Sequence, residues 1–271
     1  VSFDGTGYGL DGAIWGGEFL FSGYTDFKRL VHMNYVPLPG GDKAVHEPWR
    51  IALAWLHAAG VPWEPDLAPV DWGLNLTNTN TTPAVLEVVR RQIETGINAP
   101  PTSSIGRLFD AVSSLIGLRQ SVNYEAQAAI ELEAQAALHE FGIYQFERRV
   151  EILDFTPAIR AIVGDLRNKI PTQVIAARFH NTLALLIQET CRSLRDETGS
   201  NQVVLSGGVW QNRTLLARTY NMLKNDNFEI YTHHTVPAND GGISLGQAAV
   251  AMHRILNGQL NLSNVPNNLP T

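Results

Sequence analysis

The chain has 271 residues, a formal net charge of −6, 17% charged and 44% hydrophobic residues, and one cysteine. This length allows one large domain or two modest ones, and the negative charge argues against a nucleic-acid partner, which normally requires a basic surplus. A single cysteine excludes an internal disulfide framework and suits a reducing, cytoplasmic compartment. The apolar runs are shorter than the ~20 residues of a membrane span, so no membrane association is expected.

The predicted elements begin with three strands, at residues 1–4, 13–22 and 30–38, separated by glycine-rich and polar turns. The middle is mostly helical, with one strand at 144–153 and helices at 48–59, 83–95, 104–118, 125–141, 157–168 and 173–195. The last third alternates strand and helix, at 202–205, 212–223, 228–233 and 242–256. The Asn-rich tail, 257–271, is predicted to be flexible.

This order of elements predicts the fold. Three consecutive strands followed by strand–helix alternation are typical of one lobe of the α/β, ribonuclease-H-like and actin-like ATPase (ASKHA) fold, here with a mostly helical insertion at about residues 46–141. A dinucleotide-binding fold would begin with a βαβ unit and carry its glycines between strand and helix. The first glycine segment here joins two strands, which disfavours that alternative.

Three segments each set an acidic or amide side chain beside glycines at the end of a predicted strand. They are Phe-Asp-Gly-Thr-Gly-Tyr-Gly at 3–9, Ser-Gly-Gly-Val-Trp-Gln-Asn at 206–212 and Asn-Asp-Gly-Gly-Ile-Ser-Leu-Gly-Gln at 239–247. Glycine removes the Cβ and lets backbone N–H groups face anionic oxygens. Three such segments together predict a nucleotide site.

In the first segment, Gly5, Thr6 and Gly7 would offer hydrogen-bond donors to a phosphate, and Asp4 would serve a metal ion or its waters. An ordinary Asp-Gly hairpin turn explains the same residues equally well. The residues alone therefore leave both interpretations open.

In the second segment, Gly207 and Gly208 would let an adenine or ribose lie on the backbone, and the amide of Asn212 would bond a base edge or ribose. A tight strand-to-helix turn is the alternative. Asp240, in the third segment, opens the last predicted helix, where it is either a helix cap or a metal ligand beside bound phosphate.

Two acids between these segments are further candidates. Asp110 is the only acid of an otherwise apolar helix, where it is either solvated or an acceptor for ribose hydroxyls. Glu125 is most simply an acid in the first turn of its helix. His233 and His234 are adjacent but have no suitably spaced third ligand, so we expect them to be polar strand-end residues.

Six motifs occur in the order in which the HypF family carries them, and the chain resembles the C-terminal part of that family from residue 1 to about 256. HypF proteins are carbamoyltransferases of nickel–iron hydrogenase maturation; O-carbamoyltransferases of the tobramycin type and threonylcarbamoyl tRNA-modification proteins are more distant relatives. The motifs are Phe-Asp-Gly-Thr-Gly-Tyr-Gly from 3, Pro-Gly-Gly-Asp-Lys-Ala from 39, Thr-Ser-Ser-Ile-Gly-Arg-Leu-Phe-Asp-Ala from 102, Tyr-Glu-Ala-Gln-Ala-Ala from 124, Leu-Ser-Gly-Gly-Val-Trp-Gln-Asn from 205 and Pro-Ala-Asn-Asp-Gly-Gly-Ile from 237.

The resemblance implies a nucleotide-binding lobe that uses ATP and carbamoyl-adenylate, with carbamoyl phosphate as the ultimate donor and the C-terminal cysteine of the partner protein HypE as the acceptor. It also implies a zinc or iron ion. By the resemblance the site residues are Asp4 and Asp240 as catalytic groups, Gly5, Thr6 and Gly7 at the phosphates, Asp110 and Glu125 at the ribose, Gly207, Gly208 and Asn212 at the adenosine, and Asp240 again at the metal.

The chain also departs from the family pattern. A paired-histidine metal motif precedes the first glycine segment in the family and is absent from this sequence. We therefore expect residues 1–256 to be a second lobe, present as a fragment and inactive alone. An ATP-dependent O-carbamoyltransferase or kinase on the same fold and a non-catalytic nucleotide-binding module are the alternatives; the motifs from residues 39 and 102 favour HypF.

Overall fold

The computed structural model of the protein describes residues 1–76 and 85–259. The strands are β1 (Ser2–Tyr8), β2 (Ile14–Ser22), β3 (Phe27–Met33), β4 (Val36–Pro37), β5 (Pro101–Thr102), β6 (Glu147–Arg149), β7 (Ile152–Asp154), β8 (Gln202–Val204) and β9 (Glu229–Tyr231). The α-helices are α1 (Asp42–His46), α2 (Pro48–Ala58), α3 (Ala68–Asn75), α4 (Val85–Thr95), α5 (Ile105–Leu115), α6 (Gln127–Gln135), α7 (Thr156–Arg167), α8 (Thr172–Thr198), α9 (Arg213–Asn225) and α10 (Ile243–Leu256). Short 3₁₀ helices span Gly208–Gln211 and Asp240–Gly242.

The strand order confirms the predicted ribonuclease-H-like fold. β1 pairs antiparallel with β2, and β2 pairs antiparallel with β3. On the other side of β1, a parallel bridge joins Ser2 to Ser206, directly after β8, and β8 pairs in parallel with β9. The resulting order is β3-β2-β1-β8-β9, in which β2 alone runs against its neighbours. The chain is thus a mixed α/β lobe of the ASKHA type.

The sheet extends beyond these five strands. β7 joins β3 in parallel and carries β6 antiparallel to it, while β5 pairs with the start of β2 and with β4. β5 lies within residues 46–141, so the region predicted to be a mostly helical insertion also contributes a strand to the main sheet. The division of the chain into lobe and insertion stays a prediction.

Aromatic side chains hold the sheet and helices together. Phe3 of β1 stacks on Trp210 with ring centroids 5.8 Å apart and meets Phe19 of β2 edge-on at 5.6 Å. Phe109 of α5 meets Phe179 of α8 edge-on at 4.9 Å, and all of these rings are buried. The beginning of β1 and the whole of α5 are therefore held rigidly by the core, which positions the residues beside them.

The first glycine segment is not the hairpin turn that the sequence predicts. β1 continues through it with a bulge between Phe3 and Gly7, and the turn falls at residues 9–12. The bulge fits the packing of α5, because the N-cap residue Ser104 donates its hydroxyl to the carbonyl oxygens of two bulge residues at 2.7 and 2.8 Å. A bulge bends a strand and turns its backbone away from regular pairing.

Other predicted boundaries also change. The predicted strand at 144–153 is the hairpin of β6 and β7, with Val150 at a φ of 53° between them. The helix predicted for 125–141 is shorter: it begins at Gln127 and ends at Gln135, after which Ala137 donates its backbone N–H to the carbonyl of Gln173 at 3.0 Å. Helices α1 and α3 were not predicted. Residues 83 and 84 of the helix predicted for 83–95 lie outside the described residues.

Helix α10 packs little against the rest of the described chain. Its large apolar side chains Leu245, Met252 and Leu256 are all more than half exposed. No helix within residues 1–76 and 85–259 combines the length and apolar character needed to cross a membrane. Of the tail predicted to be flexible, only residues 257–259 fall within the described residues.

Candidate functional site

The three glycine segments meet at one end of the sheet. The backbone N–H of Phe3 donates to the carbonyl of Ser206 at 2.9 Å, which ties the first segment to the second. The N–H of Gly207 donates at 2.8 Å to the carbonyl of Ala238, the residue directly before the third segment, and so holds the second segment beside the third. A cavity of about 330 Å³ lies where they meet, a size found for small-molecule sites in proteins.

The structure brings seven of the ten predicted site residues into this cavity and leaves three outside it. The lining includes Asp4, Gly5, Asp110, Glu125, Gly208, Asn212 and Asp240. The lining does not include Thr6, Gly7 or Gly207. The predicted clustering of an acidic first segment, a Gly-Asn second segment and an acidic third segment around one space therefore agrees with the geometry.

Gly207 supports the site from behind. Its φ of 108° is a conformation that other residues rarely adopt, and a Cβ at this position would overlap the carbonyl oxygen of Phe3. Its N–H is already bonded to the third segment. Glycine is therefore required here for the close approach of two backbones, whereas the neighbouring Gly208 faces the cavity.

Asp4 organises the backbone around its carboxylate. Oδ1 accepts the N–H of Gly5 at 2.7 Å, and the amide of Gly208 also bonds the carboxylate. The Gly5 N–H is consequently occupied by Asp4, in contrast to its predicted role as a phosphate donor. Burial raises the pKa of Asp4 above its ordinary value and the two amides oppose this, while the nearby carboxylates of Asp240 and Glu125 raise it further.

These carboxylates decide what the cavity can bind. Besides the paired Arg107 and Asp110, four carboxylates line the cavity, so a bare phosphate would be repelled; they belong to Asp4, Glu125, Glu133 and Asp240. A phosphate that carries a bound divalent cation would not be repelled, because carboxylates bind such cations or their waters beside phosphates. The cavity therefore suits a cation-bound phosphate better than a free anion.

Asp110 lines the cavity and forms a buried ion pair. Its Oδ2 is 2.9 Å from Nε of Arg107, and both side chains are less than a tenth exposed. Burial raises the pKa of Asp110 to about 6, although the guanidinium acts in the opposite direction. The solvated-face interpretation of Asp110 is thus excluded by its burial, and its nearest charged partner is Arg107.

Asn212 and Asp240 line the cavity, but their relation to the neighbouring helices differs from the predicted one. Asn212 precedes α9 as its N-cap, where Oδ1 accepts the N–H of Leu215 at 2.8 Å. Asp240 is exposed and is not the cap of its short helix, since Asn239 accepts the N–H of Gly241 at 3.1 Å. Capping, one of the two explanations offered for Asp240, is therefore wrong.

Glu125 also lies outside the first helical turn in which it was predicted. α6 begins two residues later, and Ala126 between them has a φ of 59°. Glu125 is exposed and borders the cavity from a loop. Its position depends on this left-handed residue, for which an alanine gives no sequence signal.

The described residues do not fit a zinc or iron site. Within residues 1–76 and 85–259 no three His, Cys, Asp or Glu side chains are placed to hold a metal ion. His233 contacts Ser206 Oγ at 3.1 Å, consistent with its expected role as a polar strand-end residue. Asp240 alone supplies too few ligands, because zinc in proteins takes about four.

Several lining residues were not predicted. α6 contributes Ala129, Ile130 and Glu133 to one wall, and Gln211 lies beside Asn212. Glu133 Oε1 also accepts the N–H of Thr214 at 2.8 Å, so this side chain joins α6 to the start of α9. No local motif marks these residues, since they reach the cavity only through the packing of α6 against α5 and α8.

Comparisons with known proteins agree with this architecture. Residues 1–247 match the family described as carbamoyltransferase, Kae1-like domain, second subdomain. The chain is 37% identical over 260 residues to carbamoyltransferase HypF of Synechocystis, covering 91% of this chain and 33% of that protein. It is 38% identical over 260 residues to HypF of Rhodobacter capsulatus, covering 94% and 32%. The chain thus spans about a third of the length of these curated relatives.

Solved structures show the same fold. The chain superimposes on the crystal structure of full-length HypF in the phosphate- and nucleotide-bound form with a TM-score of 0.83 at 38% identity, covering 94% of this chain and 39% of that one. For HypF of T. kodakarensis the TM-score is 0.78 at 28% identity, covering 96% and 34%. From the sheet order, the family match and these relatives, we conclude that the chain belongs to the HypF carbamoyltransferase family, in which it corresponds to the second subdomain of the Kae1-like domain.

Proposed function

We propose that this chain is the nucleotide-binding part of a HypF-type carbamoyltransferase, and that it takes part in transfer of a carbamoyl group from carbamoyl-adenylate to the C-terminal cysteine of HypE. Adenylate chemistry suits this transfer, because the cysteine thiolate is a strong nucleophile and AMP is a good leaving group. The thiolate attacks the carbamoyl carbon, a thiocarbamate forms, and the bond to the AMP phosphate oxygen breaks.

The observation that carries the proposal is the convergence of the three glycine segments on one cavity that also holds Asp4, Asp240 and Asn212. A relative of the same fold and 38% identity has been crystallised in a phosphate- and nucleotide-bound form, which supports a nucleotide as the ligand. Carboxylates and the amide of Asn212 in one cavity match a ligand that combines a cation-bound phosphate with a hydrogen-bonding nucleoside.

Within this proposal, Asp4 and Asp240 would serve the phosphate end through a cation or its waters. Gly208 lets the ligand approach the backbone, and Asn212 would donate to a nucleoside oxygen or nitrogen. The buried Arg107–Asp110 pair would contribute to the wall of the site. A bound zinc or iron ion would polarise the carbamoyl group, but the described residues do not form its site, and none of these roles depends on it.

Calorimetric titration of the chain with magnesium ADP tests the nucleotide assignment. We expect weak but measurable binding, and we expect Asn212→Ala to weaken it by about 1–3 kcal/mol, the cost of leaving a buried polar contact unmade. Because Asn212 also caps α9, Asn212→Ser is the matched variant: it keeps a capping oxygen but cannot donate from the same position. Equal affinity of the parent chain and both variants would contradict the assignment.

A chimera tests the transfer reaction itself. In it, this chain replaces the matching third of a HypF relative, and the protein receives carbamoyl phosphate, ATP and HypE. Mass spectrometry should find a carbamoylated C-terminal cysteine with the parent chimera and lose it with Asp4→Ala or Asp240→Ala. Asp196→Ala, an exposed acid on α8, is the control and should form product normally. Product formation that survives both site substitutions would refute the proposed roles.

A further inference from the structure

His180 is a polar residue in the hydrophobic core for which the proposed reaction has no role. It lies in the middle of α8, has no exposed surface, and is surrounded by the rings of Phe109 and Phe179, whose centroids are 5.3 and 5.7 Å from its own. A buried imidazole needs a hydrogen-bond partner for each nitrogen, because an unpaired polar group in such a place is costly. Both partners are present.

The first partner determines the tautomer. Nδ1 of His180 lies 2.7 Å from the carbonyl oxygen of Ala176, one helical turn earlier. A carbonyl oxygen can only accept, so Nδ1 must carry the proton. In a neutral imidazole Nε2 is then an acceptor, and burial keeps the ring neutral, since it lowers the pKa of His180 to about 4.

The second partner is the site residue Asn212, whose Nδ2 lies 3.0 Å from Nε2 of His180. Because Nε2 is an acceptor, the amide nitrogen must donate to it. The other end of the same amide, Oδ1, accepts the N–H of Leu215. Two independent partners thus fix which end of the amide is nitrogen and which is oxygen, and a rotation by 180° would break both bonds.

We propose that His180 is a positioning residue, which holds the Asn212 amide so that its second N–H is presented to an acceptor atom of the nucleoside in the cavity. One proton of Nδ2 is used by His180, and Asn212 itself lines the cavity. An amide that is already oriented loses little conformational freedom when it binds a ligand. The identity of the ligand rests on the proposed nucleotide function, but the hydrogen bonds from Ala176 through His180 to Asn212 can be tested without a ligand.

Two small amides at position 180 separate positioning from packing. A glutamine places an oxygen near the position of Nε2, so His180→Gln can still accept from Asn212. An asparagine reaches only as far as Nδ1, so His180→Asn keeps the Ala176 contact and loses the one to Asn212. We expect His180→Asn to weaken binding of magnesium ADP about fivefold to tenfold, the effect of one lost hydrogen bond, and His180→Gln to restore most of it.

A double-mutant cycle with Asn212→Ser shows whether His180 acts through Asn212. In the Asn212→Ser background, His180→Asn should cause no further loss of affinity. An equal fivefold to tenfold loss in both backgrounds, or identical behaviour of the Asn and Gln variants at matched melting temperature, would overturn the inference. Either of these two results would indicate that substitution of His180 acts through a general packing defect and not through Asn212.

NMR of the chain labelled with ¹⁵N-histidine and ¹⁵N-asparagine tests the same inference without nucleotide. We expect the His180 ring to be neutral with the proton on Nδ1, and the Asn212 side-chain amide to exchange faster with solvent in His180→Asn than in the parent chain. A proton on Nε2, or an unchanged exchange rate, would overturn the inference. If the parent chain bound no adenine nucleotide while these NMR results held, the proposed function would fail and the positioning of Asn212 would stand.

Discussion

Two buried titratable groups, His180 and Asp110, should have opposite effects on how the stability of the fold changes with pH. Burial lowers the pKa of His180 from 6.5 to about 4, so as pH falls through this range the unfolded chain takes up a proton that the native chain does not. Stability is therefore full above about pH 6.5 and falls towards pH 4. At about 1.4 kcal/mol per pH unit, the loss amounts to roughly 3 kcal/mol.

Asp110 acts in the opposite direction. Its pKa is raised from 3.8 to about 6, so between these values the native chain holds a proton that the unfolded chain has lost. Its contribution therefore stabilises the fold as pH falls, again by roughly 3 kcal/mol in total. In the parent chain the two effects nearly cancel over the same pH range.

Asp110→Asn removes the pH-dependent contribution of Asp110 and leaves that of His180. Unfolding by urea, followed by tryptophan fluorescence at about pH 7.5, 6.5, 5.5 and 4.5, should show a steeper loss of stability on acidification than in the parent chain. The difference between the two curves should grow by roughly 2 kcal/mol between about pH 6 and pH 4.5. The unpaired Arg107 of the variant adds an offset that does not change with pH in this range.

His180→Gln is the matched control and should give the opposite result, a shallower loss of stability on acidification than in the parent chain. Parallel curves for Asp110→Asn and the parent chain would refute the reasoning, because they would show that Asp110 has the same pKa in the folded and unfolded states.

Three further outcomes are expected. In urea unfolding, Gly207→Ala should destabilise the fold by several kcal/mol, because the added Cβ would overlap the backbone of β1. Gly246→Ala, at an open helical position, is the control and should be neutral or slightly stabilising. Similar effects of the two substitutions would contradict the role of Gly207. Ser103→Ala removes the hydroxyl that donates to the buried carboxylate of Glu18, and it should lower the free energy of unfolding by about 1–3 kcal/mol in the same assay. An unchanged unfolding midpoint would show that the fold does not need this hydrogen bond. The purified chain should contain well below one equivalent of zinc or iron by mass spectrometry, because Asp240 alone is too few ligands; a full equivalent would reveal a site that we have missed.

The sequence predicted the fold where hydrophobic patterning and chain order carry the information. The three leading strands and the β8–α9–β9–α10 alternation were sufficient for a ribonuclease-H-like lobe, and the glycine segments marked the end of the sheet where the cavity lies. These signals are local, because an apolar strand followed by glycines is visible in a few residues.

The remaining features depend on contacts between distant residues. The bulge in β1 follows from the packing of Ser104, about a hundred residues later, and glycines alone suit a bulge as well as a turn. The hairpin of β6 and β7 turns at Val150, a β-branched residue with positive φ that no turn rule would select. The wall formed by α6, with Ile130, depends on tertiary packing in the same way.

The parallel bridge between Ser2 and Ser206 has a consequence for synthesis of the protein. Of the strands described here β1 is made before the others, but the strand that covers its outer edge is made about two hundred residues later, and Asp240 later still. Until then β1 presents an open edge that can pair with other chains, and the slow formation of such distant contacts prolongs this period. A chain whose translation stops before β8 lacks Gly208, Asn212 and Asp240, so it cannot form the complete cavity.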